Sequence, residues 1–259
     1  DPRVFSPHSP AFTESRFFSF FSVAPVARAR LDKSFYAKWR ESSAEEIFKF
    51  LSHTYDEMRA PTGSASVRDR AFNRLWAEIQ AGNVWNNWGN LRRTYANSVA
   101  MRANVAKNYR NFLNHIGWTN GDGALTKAGF NAMQTGTLFG PRSRPFLDVI
   151  ATATLLPGKH LILFNAISEF QDNLALPFPV ETQWLQLLED YLETKGLLKR
   201  NPARAAVAVM GAARGFLKAE KQLWRCLELV VPHGGRVFHP GRGFIFNWAR
   251  IAELVQSAE

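Results

Sequence analysis

The stretch from Tyr109 to Gly129 constrains the fold of this chain more than any other. Tyr109, Phe112, Leu113 and Ile116 recur at helical spacing, with Val105 one turn earlier. Gly117-Trp118 ends that run in a short apolar step. Thr119-Asn120-Gly121-Asp122-Gly123 then gathers residues that suit a tight turn, because Asn, Asp and Gly tolerate left-handed backbone. Ala124-Leu125 returns to apolar character, and Thr126 can cap a new helix carrying Ala128, Phe130 and Met133. The order is helix, tight hairpin, helix.

That order is the ending of a winged-helix unit, with the hairpin as the wing. Around it the chain reads as mainly α. Residues 1–26 form an N-terminal arm, since Pro2, Pro7, Pro10 and Pro25 break any helix there. Its six phenylalanines are too apolar for a free tail. A first helical, winged-helix-like module is expected over 27–140. Within it Ser43 and Glu46 spell a capping box before Ile47, Phe50, Leu51 and Tyr55. Val67, Ala71, Leu75, Trp76 and Ile79 mark the next helix. Residues 141–180 form a helical linker region, broken at Pro157-Gly158, with a boundary near Pro177 and Pro179. The second winged-helix-like module is expected over 181–259. Its first helix carries Trp184, Leu185, Leu188, Tyr191 and Leu192 and stops at Gly196. Glycines then bracket Val237-Phe238, Phe244-Ile245-Phe246 reads as a strand, and a last helix covers Ala249–Gln256. The two modules are similar in plan but are not a sequence repeat.

Charge points to the ligand. The chain of 259 residues has a formal net charge of +10, which raises affinity for polyanions. Hydrophobic residues make up 46%, enough to bury one or two cores. The basic excess is uneven. No acid lies between Glu78 and Asp122, where Arg92, Arg93, Arg102, Lys107 and Arg110 are interspersed with Asn104, Asn108, Asn111 and other asparagines. Arg and Lys neutralise phosphates, and Asn can bond adenine with two hydrogen bonds. A solvated helix face usually carries both signs of charge, so this face reads as one that enters a DNA groove. Phosphate contacts are assigned to Arg92, Arg93, Lys107, Arg142 and Arg144, and base contacts to Arg102, Asn104, Asn108, Arg110 and Asn111. Lys127 at the start of the helix after the hairpin joins the set. Arg236 and Arg242 flank the second hairpin, where a wing reaches a phosphate or a minor groove. Trp85 and Trp88 read as core residues rather than base-stacking platforms.

Catalytic patterns are sparse. The sequence has no phosphate-binding glycine loop before Lys-Ser/Thr and no Gly-x-Ser-x-Gly elbow, and its six histidines are scattered. Glu193-Thr194-Lys195 has the Glu-x-Lys spelling of restriction-type nucleases, but it ends an amphipathic helix where that chemistry needs a strand. No cofactor and no metal site are expected. The single cysteine, Cys226, excludes an internal disulfide, suits a cytoplasmic setting and is expected to be buried beside Leu227 and Leu229. No apolar run is long enough to span a bilayer, so no membrane partner is expected. The chain opens at Asp1 rather than Met, as a piece of a longer protein or a processed form would.

The run Tyr109–Trp118, the turn, and Ala124-Leu125-Thr126-Lys127-Ala128-Gly129 resemble the winged-helix units in the recognition regions of type IIS restriction and nicking endonucleases. Gly241-Arg242-Gly243-Phe244-Ile245-Phe246-Asn247 and its closing helix resemble the last such unit. The resemblance implies tandem winged helices that read a short asymmetric site in double-stranded DNA, with a nuclease domain or subunit cutting nearby. This chain would be the recognition part. Two other classes stay open at this point. One is a complete endonuclease with an unrecognised active site. The other is a winged-helix assembly, transcription or replication factor. RNA is not separated from DNA by charge alone.

Overall fold

A computed structural model describes residues 44–81, 106, 109–175, 177–197, 221 and 223–258, leaving aside the side chains of 79 and 80. These are mainly helical, and their sheet has two strands. They fall into two compact units, divided between Ala153 and Thr154. The division lies inside a helix of the segment expected as a linker, upstream of the prolines. None of the described helices is long and apolar enough to cross a membrane by itself.

The first unit begins with α1 (Ala44–Arg59) and α2 (Val67–Ala81). Ile47, Phe50 and Leu51 of α1 and Ala71, Leu75 and Trp76 of α2 are buried, as their spacing predicts. Ser43 lies outside the described residues. Glu46 turns inward, and its carboxylate accepts a 2.6 Å hydrogen bond from the Tyr109 hydroxyl. Helix α3 is described over 109–115. Its Tyr109, Phe112 and Leu113 complete the core with Trp118 beyond its end. Helices α4 (Lys127–Phe139) and α5 (Arg144–Leu155) close the unit. A side chain at Gly136 of α4 would collide with the Phe48 ring, so a glycine there lets α1 lie against α4.

The second unit starts with α6 (His160–Asp172) and α7 (Glu181–Thr194). Helix α8 is described at 221 and over 223–226. Strands β1 (Phe238–His239) and β2 (Gly243–Phe244) pair antiparallel, with Phe238 opposite Phe244 and His239 opposite Gly243. Helix α9 (Trp248–Gln256) follows. The core is aromatic. Trp184, Phe238 and Phe244 meet edge to face at 5.1–5.7 Å. Phe164 stacks on Phe246 at 4.4 Å. Aromatic pairs of this kind add roughly 0.5–1.5 kcal/mol beyond the area they bury.

Candidate nucleic-acid interface

The junction between α3 and α4 is locked by backbone. Ile116 donates to the Phe112 carbonyl, Gly117 to that of Asn114 at 3.2 Å, and Trp118 to that of Leu113 at 2.9 Å. This helix ending needs left-handed backbone at Gly117, whose φ is 75°. Thr119 and Leu125 then form an antiparallel bridge across the turn. Thr126 closes the loop in three ways. Its N–H donates to the Trp118 carbonyl at 3.0 Å, its hydroxyl donates to the Gly117 carbonyl at 2.6 Å, and its oxygen caps Gly129 N–H at 3.1 Å. Gly117, Trp118, Thr126 and Gly129 thus fasten the hairpin between two helices.

The second unit repeats this lock with different residues. Leu227 donates to Leu223, Glu228 to Arg225 at 3.1 Å, and Leu229 to Trp224 at 2.8 Å. Val230 and Phe246 form the bridge. Asn247 plays the part of Thr126. Its N–H donates to the Leu229 carbonyl, its side-chain amide donates to the Glu228 carbonyl at 3.1 Å, and its side-chain oxygen caps Arg250 N–H at 3.3 Å. Each lock is preceded by a helix pair, α1–α2 or α6–α7, and followed by a helix, α4 or α9. The two junctions thus share one hydrogen-bonding plan. Glu228 holds the left-handed position, φ 59°, that Gly117 holds in the first copy. A side chain in that conformation costs roughly 1–2 kcal/mol. Glu228→Gly is expected to stabilise the protein by about 1 kcal/mol in urea denaturation, and a loss of stability would contradict this account of the junction.

The outer face of α3 carries Arg110, Asn111 and Asn114, all partly exposed, opposite the buried Tyr109, Phe112 and Leu113. Lys127 is exposed at the start of α4, and Arg225, Arg236 and Arg242 are exposed around the second junction. Arg142 and Arg144 are exposed but engaged, with Glu45 at 2.8 Å and Asp148 at 3.1 Å. Such surface pairs are worth little and exchange readily. Arg92, Arg93, Arg102, Asn104, Lys107 and Asn108 lie outside the described residues, as do Trp85 and Trp88. Cys226 is exposed, contrary to expectation. Leu223, Trp224 and Leu227 occupy the inner face of α8, so position 226 points away from them. Its neighbours in sequence misled because the left-handed turn at Glu228 separates Leu229 from the helix.

Groups with catalytic character are structural in their settings. Among the described residues no three His, Cys, Asp or Glu side chains are placed to hold a metal ion. Glu193 and Thr194 end α7, and Lys195 caps that helix and pairs with Glu169 at 2.6 Å. Missed in the sequence were two buried acid–base pairings of the first unit. His53 Nε2 lies 2.7 Å from Glu78 Oε1, and Lys49 Nζ is 3.1 Å from the other oxygen. Burial lowers the His53 pKa against the opposing pull of Glu78. Glu57 receives the Arg70 guanidinium at 2.7 Å and the Thr62 hydroxyl. The Arg70 hydrogen bond leads in holding its carboxyl below the ordinary value.

Both shifts make the fold acid-sensitive. The unfolded chain takes up a proton at His53 near pH 6.5, while the folded protein does so only at lower pH. Stability therefore falls as pH drops below 6.5 toward the folded value. The Glu57 contribution is complete above about 4.5 and is lost as pH falls through its lower folded value. Thermal melts across this range are expected to decline in two steps, and His53→Gln should remove only the upper one. A flat profile down to about pH 5 would overturn the His53 assignment.

No protein-family model matches the chain, and no curated protein is found similar to it.

Proposed function

We propose that the chain binds double-stranded DNA with sequence preference, through two winged-helix-like modules, as the recognition part of a restriction-type endonuclease. The observation that carries this reading is the placement of cations. Arg110, Lys127, Arg225, Arg236 and Arg242 have no acidic partner among the described residues, and all lie on or beside the two helix–hairpin–helix junctions. Elsewhere Lys49, Arg70, Arg74 and Lys195 are each paired with a carboxylate, and Arg59 lies over the Tyr55 ring. Cations without an acidic partner that gather at one kind of element suit an external polyanion. In this reading α3 enters the major groove with Arg110 and Asn111 toward base edges, and phosphate neutralisation supplies most of the affinity.

The test is fluorescence anisotropy of a labelled random oligonucleotide as duplex DNA, single strand and duplex RNA across a salt series. Duplex DNA is expected to bind tightest and to weaken steeply with salt. Arg110→Ala with Lys127→Ala should lower the slope of log affinity against log salt by about 2. A second reading has its own observation: Leu138 and Phe139 at the end of α4 are 76% and 61% exposed, as a protein-assembly surface would be. Absence of binding to all three nucleic acids at low salt would leave that reading in front.

A further inference from the structure

The two copies share a lock but hold different hairpins in it. In the first copy the connection is 120–124. Asn120 Oδ1 accepts from the N–H groups of Asp122 and Ala124, the only charge on the turn is the Asp122 carboxylate, and Arg68 lies along it with its guanidinium 3.5 Å from the Gly121 carbonyl. In the second copy the connection is 231–245 and contains β1 and β2. Its base is held by Gln171 of α6, whose amide donates to the Phe244 carbonyl at 2.9 Å and accepts from the Phe244 N–H at 2.7 Å. A side chain at Gly243 would collide with that amide. His239 Nε2 braces the other strand against the Val231 carbonyl at 2.9 Å. The longer hairpin is thus anchored to the body of its unit.

One face of this hairpin and the start of α7 enclose a groove of about 570 Å³. Pro179, Val180, Phe238 and Pro240 give it an apolar lining, and Val180 is 70% exposed. Among the described residues that line it, the charged ones are Glu181, Lys221 and Arg236. Lys221 lies 3.2 Å from Glu181 and neutralises it, so Arg236 leaves these residues one positive charge in excess. The hairpin residues that line it belong to the stretch by which the second connection exceeds the first.

We propose that this groove seats one sugar–phosphate strand of duplex DNA. The Arg236 guanidinium takes a phosphate, Arg242 in the β1–β2 turn, beyond the groove's lining, takes another, and Val180, Pro179 and Pro240 contact deoxyribose. The proposal rests on the DNA-binding reading above and adds a division of labour to it. The second copy's hairpin grips the backbone, and the first copy's acidic turn does not. An apolar, singly cationic groove matches a strand that alternates sugar with phosphate, and its charge rejects a basic partner.

The experiment uses the full chain on labelled duplex DNA over a salt series. Arg236→Ala with Arg242→Ala is expected to lower the salt slope by about 2 and the affinity at least about tenfold, while Arg236→Lys keeps the slope. Val180→Glu, which puts a carboxylate in the groove, should weaken binding by a similar factor, and Asp122→Asn should leave it intact or tighter. These side chains are exposed, and an unchanged near-ultraviolet tryptophan signal reports an intact fold. Wild-type binding with a steep slope that survives both the double substitution and Val180→Glu overturns the groove and leaves the DNA reading standing. No binding by the wild-type chain overturns both.

Discussion

Gly129→Ala is expected to destabilise the first unit by about 3 kcal/mol, although glycine to alanine inside a helix ordinarily stabilises by up to about 1 kcal/mol. The sign is reversed by what a Cβ would meet. At position 129 it would sit well inside contact distance of the Trp118 carbonyl oxygen and 2.9 Å from the carbonyl carbon. These are backbone atoms, so no rotamer change relieves the overlap. Helix α4 cannot retreat cheaply either, because Thr126 ties its start to the carbonyls of Trp118 and Gly117. Overpacking of this sort costs roughly 1–3 kcal/mol, and each tether lost adds about 1 kcal/mol. Urea denaturation followed by tryptophan fluorescence, to which the buried Trp118 contributes, reads the effect. A variant as stable as the wild-type protein would show that α4 stands off from the hairpin.

Gly129 also shows why the two junctions, both readable as helix, hairpin and helix, are not a sequence repeat. In the first copy each step of the lock uses the residue that local chemistry favours: Gly117 for left-handed backbone, Asn120 and Gly121 for the turn, Thr126 for the cap. The second copy solves the same steps with Glu228 in left-handed backbone and Asn247 as the cap, and it places Arg250 where the first copy needs Gly129. The geometry repeats while the residue types do not, so a search for sequence repeats passes over it. Helices α1, α2 and α7 were readable from apolar spacing, because burial enforces that spacing whatever the partner. The partners themselves were not readable. Nothing local told that Glu46 would meet Tyr109, that His53 would meet Glu78, or that Gln171 would clasp Phe244. The expected interface was legible only as residue types. Arg110, Lys127, Arg236 and Arg242 have no acidic partner among the described residues, whereas Arg142 and Arg144 pair with acids of their own surface.

Trp224→Ala is expected to cost the second unit roughly 3–5 kcal/mol, the range for emptying a large buried aromatic site. Trp224 is fully buried, and its ring meets Phe164 at 4.9 Å, Phe244 at 5.5 Å and Phe246 at 6.1 Å. Phe164 comes from α6, and Phe244 and Phe246 come from the returning arm of the second hairpin, so a cavity here loosens the elements that hold the groove. Its backbone is also part of the lock, since the Trp224 carbonyl accepts the Leu229 N–H. Trp224→Phe separates packing from chemistry. The indole N–H has no hydrogen-bond partner among the described residues, and a buried unsatisfied donor costs about 1–3 kcal/mol. Replacing it with phenylalanine removes that cost while keeping most of the ring contacts, so this variant should fall within about 1.5 kcal/mol of the wild-type protein. Calorimetric or urea stabilities of the two variants decide the matter. If alanine and phenylalanine cost the same, aromatic packing at this site is not what supports the hairpin. If alanine alone is severe, salt-dependent DNA binding by that variant should lose the two phosphate contacts assigned to Arg236 and Arg242 and retain those at Arg110 and Lys127.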